Sequence, residues 1–207
     1  MFTSIVPKEV GGKWVYEWKG STGTEKSKYK TSSAELPKYK LPTFSSNKAT
    51  GFDAIITKDV PVGQESTAQK GAWPAWDAVR DGKADGTYVR THMLHHELGG
   101  KATISNLTPT KTGLNTRFYN AVEKYAVNDK NKFPIWYRVN ISYQSEVGFT
   151  DYISKINASY GKYEKKGDIW QYGKTLKEFI ENNPKPVFGD RIFSLNLMEQ
   201  RVCLRRD

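Results

Sequence analysis

Between Ile135 and Tyr143 the apolar residues Ile135, Tyr137, Val139, Ile141 and Tyr143 alternate with Trp136, Arg138, Asn140 and Ser142. Successive side chains on a strand point to opposite faces, so this period of two specifies a strand with one face on a core. The fold must therefore contain a sheet. The 207 residues suffice for one sizeable core, and Gly, Pro, Ser and Thr are spread along the chain rather than gathered in a linker. A single domain over residues 1–207 is expected.

Residues 1 to about 72 read as short strands and turns. Lys13–Trp18 and Gly51–Thr57 are strand candidates, and Ser21–Lys48 reads as a surface loop. Trp73–Val79 predicts one or two helical turns. Asp85-Gly86 is a turn signal that leads into a strand over Thr87–Leu94. After Gly99-Gly100, residues Ala102–Ser105 are expected to form a second strand, which Pro109 ends because proline has no amide hydrogen to donate. From Leu114 to Val127 the apolar residues Leu114, Phe118, Val122 and Tyr125 recur at helical spacing, with Thr112 as cap and Asn128-Asp129 as stop. Thr175–Asn182, with Leu176, Phe179 and Ile180 on one side, predicts a short helix stopped before Pro184.

Charge narrows the partner class. Lys and Arg number 32 against 22 Asp and Glu, a formal net charge of +10, and 13% of residues are aromatic. A basic surface interleaved with aromatics favours phosphate-rich partners. Cys203 is the one cysteine, which excludes an internal disulfide and a cysteine-based zinc site. No stretch approaches the ~20 apolar residues of a membrane span, and Met1–Pro7 lacks the pattern of a signal peptide.

The stretch richest in chemistry runs Val89-Arg90-Thr91-His92-Met93-Leu94, then Gly99-Gly100, Ser105-Asn106-Leu107-Thr108-Pro109, Leu114-Asn115 and Val122-Glu123. Over about Tyr88–Glu123 this spacing resembles the non-specific DNA/RNA endonucleases of the His-Me finger (ββα-metal) superfamily, including the eight-residue step from Asn115 to Glu123. Within it, the stretch is most similar to the toxin domains of bacterial polymorphic toxins. Val89 and Thr91 stand where the broader family has Asp and Gly, and His95 stands where the toxin branch usually shows Asn. The resemblance implies an α+β fold with a ββα-metal core over about 86–128, a strand extension at 134–144, further antiparallel strands and a few short helices.

It also implies a site. Phosphodiester hydrolysis needs an activated water, and a neutral imidazole with an ordinary pKa of ~6.5 can take its proton, the role assigned to His92. Mg²⁺ (or Mn²⁺), one ion per site, accepts hard oxygen ligands and keeps several waters. Asn115 resembles the family's direct protein ligand, and Glu123 is expected to hold a metal-bound water and to act with His92 and Arg90 in catalysis. Arg90, two residues before His92 and so on the same strand face, is expected to clamp the phosphate. Lys111 and Arg117 join it as substrate-binding residues. Asn106 is expected to tie loop to strand rather than to act chemically. Of His95 and His96, at most one is expected near His92, because His92 and His95 would face opposite ways on a continuing strand.

The expected function is a largely sequence-independent, Mg²⁺-dependent endonuclease acting on DNA, with RNA as a second candidate substrate. By resemblance it would be toxin cargo, secreted or injected into a target cell, acting in the cytoplasm and neutralised in its producer by an immunity protein. Two other classes compete: a non-catalytic nucleic-acid-binding module with a vestigial site, and a zinc hydrolase using the histidines, which lacks a spaced third ligand in the sequence.

Overall fold

The computed structural model describes the backbone of Phe2–Val10 and Lys13–Gly20, and residues 36–188 in full. The chain, read from sequence as one domain, divides into two compact units, Met1–Lys38 and Tyr39–Asp207. In the first, β1 (Phe2–Val10) pairs antiparallel with β2 (Lys13–Gly20), Val10 opposite Lys13, with a bulge between Phe2 and Ser4. The strand expected at Lys13–Trp18 lies within β2. Residues 21–35 of the expected loop, and Cys203, lie outside the described residues.

The second unit contains β3 (Phe52–Ile56), α1 (Pro74–Val79), β4 (Tyr88–His92) and β5 (Leu107–Lys111). Next come α2 (Thr112–Phe118), a π-helical turn (Tyr119–Glu123) and α3 (Lys124–Asp129), and then β6 (Ile135–Tyr143), β7 (Ile153–Lys166) and β8 (Ile169–Asn182). The architecture is α+β with antiparallel strands. One sheet has the order β3-β6-β7-β8, and β4 pairs with β5 in a separate two-stranded ribbon. None of the described helices is long and apolar enough to cross a membrane.

The alternation that demanded β6 is visible in its burial: Ile135, Tyr137 and Val139 are fully buried while Arg138 and Asn140 are exposed, but Trp136, on the outer side, is buried as well, its indole donating to the Gly173 carbonyl (3.1 Å). Leu114, Phe118, Val122 and Ala126 lie along one side of the helical segment and pack with Ile135, Tyr137, Ile156 and Tyr160 of the sheet. Met93, Leu94 and Leu98, just after β4, join the same cluster. A fully buried Leu or Phe contributes about 1.5–3 kcal/mol by leaving water, so this layer ties helix, sheet and the end of β4 together. A second cluster holds α1 (Trp73, Ala75, Val79) against Tyr88 and Leu107 of the ribbon.

Three expectations are corrected. Thr175–Asn182 is strand, not helix: it is the second half of β8, paired with β7 from Lys155↔Asn182 through Gly161↔Thr175. Phe179 alone faces the core there, while Leu176 and Ile180 are exposed, so their three-to-four spacing was coincidental rather than a helical face. The ribbon's second strand is β5, not Ala102–Ser105, and it includes Pro109, opposite Arg90. A two-stranded ribbon leaves each strand one unpaired side, where a missing amide hydrogen costs no ladder bond. Thr112 does not cap the helix; its hydroxyl donates to the Thr87 carbonyl (3.1 Å), and Lys111 holds the cap position without a side-chain bond.

The connection between β4 and β5 is held by Asn106, which is fully buried. Its Nδ2 donates to the carbonyls of Leu94 (3.0 Å) and Lys101 (2.9 Å), and its Oδ1 accepts from the Leu94 amide (2.9 Å). The structural role expected for Asn106 is borne out. Gly100 lies under this amide, where an added Cβ would collide with the Leu94 carbonyl, and a Cβ on Gly63 would collide with the Gly100 carbonyl. Asn106→Ala would leave three backbone groups without partners, so it should lower unfolding free energy by about 2–4 kcal/mol in urea titration. An unchanged midpoint would show that the loop closes without it.

Candidate functional site

Along β4, Arg90 and His92 share one face, as the strand period requires, and the segment Gln64–Gln69 lies against it. His92 Nε2 is 3.0 Å from the Gln64 carbonyl. Arg90 Nη1 donates to the carbonyls of Ser66 (3.3 Å) and Gln69 (3.4 Å), and its guanidinium lies 5.0 Å from the Trp76 ring centre. Because a carbonyl only accepts, the His92 proton sits on Nε2 and the Nδ1 lone pair is left to act as a base. Burial, helped by the neighbouring His95, pushes the His92 pKa down to about 4, so the ring is neutral at physiological pH. Arg90 Nε is buried with no partner, and among the described residues no carboxylate pairs with this guanidinium. Its charge is thus left uncompensated.

β4 ends at His92, and the chain bends at once. Met93 and Leu94 go into the core, and His95 opens a single 3₁₀ turn (His96–Leu98) closed by Gly99 at φ 95°. Strand alternation therefore stops before His95, and the expectation that only one of the later histidines approaches His92 is corrected. Ring centres of His92 and His95 are 6.3 Å apart, of His92 and His96 6.1 Å, and of His95 and His96 4.4 Å. Burial, then repulsion from His96 and Lys130, pushes His95 down to about 4 as well.

The turn is sewn to the Gly63–Glu65 segment. The Gly63 amide donates to the His96 carbonyl (2.8 Å), the Gln64 amide to Gly100 (2.9 Å), and the Ala102 amide to Gln64 Oε1 (3.3 Å). Glu65 Oε1 lies 3.2 Å from His96 Nε2. On the other side, Lys130 Nζ donates to the Glu97 carbonyl, and the Tyr119 ring lies 5.6 Å from that of His95.

Asn115, Tyr119 and Glu123 recur every four residues, one position beyond the buried row Leu114, Phe118, Val122. By α-helical winding Glu123 would sit roughly 80° from Asn115. The π turn advances by about 20° less per residue, and over five residues this removes most of that offset. Asn115 is half-buried, and its amide makes no hydrogen bond among the described residues. Glu123 is 3% exposed, and its Oε1 is buried without a partner. Burial raises its pKa well above the usual carboxylate range. The Tyr137 hydroxyl, also without a partner, is pushed up by burial and by the Glu123 charge.

The expected phosphate contacts fare differently. Arg117 is held bidentate by Glu181, its Nε 2.9 Å from Oε2, and that bond raises the guanidinium's pKa. Lys111 Nζ lies 3.9 Å from Asp85 Oδ2 and stays half-exposed. Sequence reasoning missed the Gln64–Gln69 segment entirely, since its role is played by backbone carbonyls, which carry no residue signature. It missed Lys130 and Tyr119 because both read as ordinary members of a helix. No protein-family model, curated protein or solved structure matches the chain.

The two depressed histidines set a pH dependence. In the unfolded chain each imidazole takes up its proton near 6.5, whereas in the fold it does so near 4. The unfolded state therefore binds more protons between these values, so the stability they contribute is complete above about pH 6.5 and declines as pH falls towards about 4. Denaturation midpoints measured from about pH 7 to about pH 4.5 should fall, and His92→Ala should show the shallower slope. Equal slopes would mean that His92 is not held neutral.

Proposed function

We propose that this chain is a metal-dependent endonuclease that hydrolyses phosphodiester bonds with little regard for sequence. The observation that carries the reading is His92. Its Nε2 is fixed on the Gln64 carbonyl, its Nδ1 lone pair is free, and it stands at the end of a strand whose ribbon runs directly into the helix bearing Asn115 and Glu123. Antiparallel pair followed by helix is the order that the ββα-metal resemblance implies.

A hard divalent cation fits the donors of that helix. The half-buried Asn115 side chain makes no hydrogen bond to another described residue, and the Glu123 carboxyl is desolvated with an orphaned oxygen, a state that costs free energy unless a proton or a cation compensates it. When bound there, Mg²⁺ would supply Lewis-acid polarisation of the scissile phosphate and charge stabilisation for the leaving oxygen. Asn115 would hold it directly and Glu123 through water. His92 Nδ1 takes the proton of the attacking water, and the Gln64 carbonyl keeps the ring oriented as the imidazolium forms. Arg90 contributes unneutralised positive charge on the same face, which favours a bound phosphate, while its Nη1 is held by the Ser66 and Gln69 carbonyls. The +10 net charge supports a polyanionic substrate whose affinity comes from backbone phosphates.

Incubation of the purified protein with supercoiled plasmid and with RNA, in Mg²⁺ or in chelator, tests the reading. Cleavage should require the metal, and His92→Ala should lower the rate by ~10²–10⁴-fold while remaining folded. Asn115→Ala should shift the Mg²⁺ dependence to higher concentration, whereas Arg117→Ala, already committed to Glu181, should change it little. Metal-independent cleavage, or none with either polymer, would overturn the assignment.

Glu123 gives a check that does not depend on turnover. A raised folded-state pKa means that stability is fully present below about pH 4.5 and is lost as pH rises. In chelator near pH 8, Glu123→Gln should therefore unfold at a higher urea concentration than wild type. Added Mg²⁺ should stabilise wild type more than the variant. If Mg²⁺ stabilises both equally, Glu123 has no part in metal binding.

A further inference from the structure

His95, His96 and Glu97 each present a ligand atom, and these atoms lie within 4.8 Å of one another. They are consecutive in sequence and converge only because the chain turns through a single 3₁₀ turn, with Gly99 at φ 95° directing the backbone away. His95 Nδ1, which accepts from the Glu97 amide (3.3 Å), is 3.8 Å from Glu97 Oε2, and His96 Nε2 is 3.2 Å from Glu65 Oε1 on the facing segment. Two imidazoles and one carboxylate thus meet in the turn, and Glu65 on the facing segment reaches the His96 side of the group. We propose that this turn, with Glu65, is a binding site for a borderline divalent cation of the Zn²⁺ class, distinct from the oxygen donors of Asn115 and Glu123.

The donor set argues for this class. Imidazole nitrogen suits Zn²⁺, Cu²⁺ or Ni²⁺, whereas Mg²⁺ prefers all-oxygen surroundings. Ligands around tetrahedral Zn²⁺, with metal–nitrogen and metal–oxygen distances near 2.0–2.2 Å, stand about 3.3–3.5 Å apart. Closure from 4.8 Å to that spacing falls chiefly to the side chains of His96, Glu97 and Glu65, since His95 Nδ1 is tied to the Glu97 amide. The side chains of His96, Glu97 and Glu65 are 21%, 45% and 71% exposed, so they have room to make it and the cation has a way in. The charge is favourable as well. The Lys130 ammonium bonds the Glu97 carbonyl, but two carboxylates outweigh it.

Glu65 adjoins Gln64, whose carbonyl orients His92. A cation shared by His96 and Glu65 would pin that segment to the turn. The site stands whether or not the chain cleaves nucleic acid, and its test reads binding alone. Chelator-stripped full-length protein, titrated with Zn²⁺ against a chromophoric chelator, should take up one equivalent, and Co²⁺ should give the visible absorption of a tetrahedral nitrogen–oxygen site. Because His95 packs on Tyr119 and its replacement could disturb folding, the exposed ligands are the ones to change. His96→Ala and Glu97→Gln should each weaken binding by at least about 10-fold, since even partners outside the ligand shell account for that much. Asn115→Ala and Cys203→Ser should retain the site. Wild-type binding no tighter than that of His96→Ala, or binding lost in Asn115→Ala or Cys203→Ser, would overturn the proposal.

Discussion

The arrangement of the second unit depends on the amide of Asn106. A chain leaving a strand for a buried turn carries amide and carbonyl groups out of water, and each must find a partner. Asn106 supplies three of those bonds at once, two to Leu94 and one to Lys101. With Leu94 fixed, Met93 and Leu98 reach the core, His95–Glu97 is held in its turn, and β5 starts in register with β4. Gly100 permits this closure because the amide and the Leu94 carbonyl occupy the place of its missing side chain. The helix then follows β5 without an intervening loop, so one buried side chain sets the spacing between the strand that bears His92 and the helix that bears Asn115.

Much of this was legible in the sequence. The helix beginning near Leu114 and β6 follow from apolar periodicity, while β3, α1 and β4 were placed by strand-forming runs and turn signals. The same-face placement of Arg90 and His92 followed from the strand period alone. The failures have physical causes. At Thr175–Asn182, an exposed strand holding Leu176 and Ile180 at its surface imitated helical spacing. At Pro109, a two-stranded ribbon tolerated a residue that an interior strand would exclude. At His95, the strand had already ended at His92, two residues before its expected end at Leu94, so alternation was extrapolated beyond the backbone that produces it. The π turn was invisible because nothing in Tyr119–Glu123 distinguishes it from α-helix, yet it decides where Glu123 lies.

The polar groups of this region separate into two kinds. Asn106 uses both Nδ2 donors and accepts on Oδ1, whereas Glu123 Oε1, the Tyr137 hydroxyl and Arg90 Nε are buried without a partner. Such groups are costly in low dielectric, and a fold that keeps three of them around one helix and one strand face is storing free energy that a proton, a water or an ion can release. The neutral histidines are the complement. They accept burial without charge and leave lone pairs where the carboxylates supply negative potential.

β8 closes the described sheet on one side, a run from Ile169 to Asn182 with Ile169, Tyr172, Leu176 and Ile180 at its surface. A long apolar edge of this kind offers unpaired backbone to any other extended chain. Along it stand Lys174, Lys177, Glu178 and Glu181, the last clamped to Arg117, so an incoming strand would have to strip water from charge at nearly every step. The Arg117–Glu181 bridge thereby acquires a colloidal meaning: it fixes an ion pair beside an edge where charge makes strand-on-strand pairing costly.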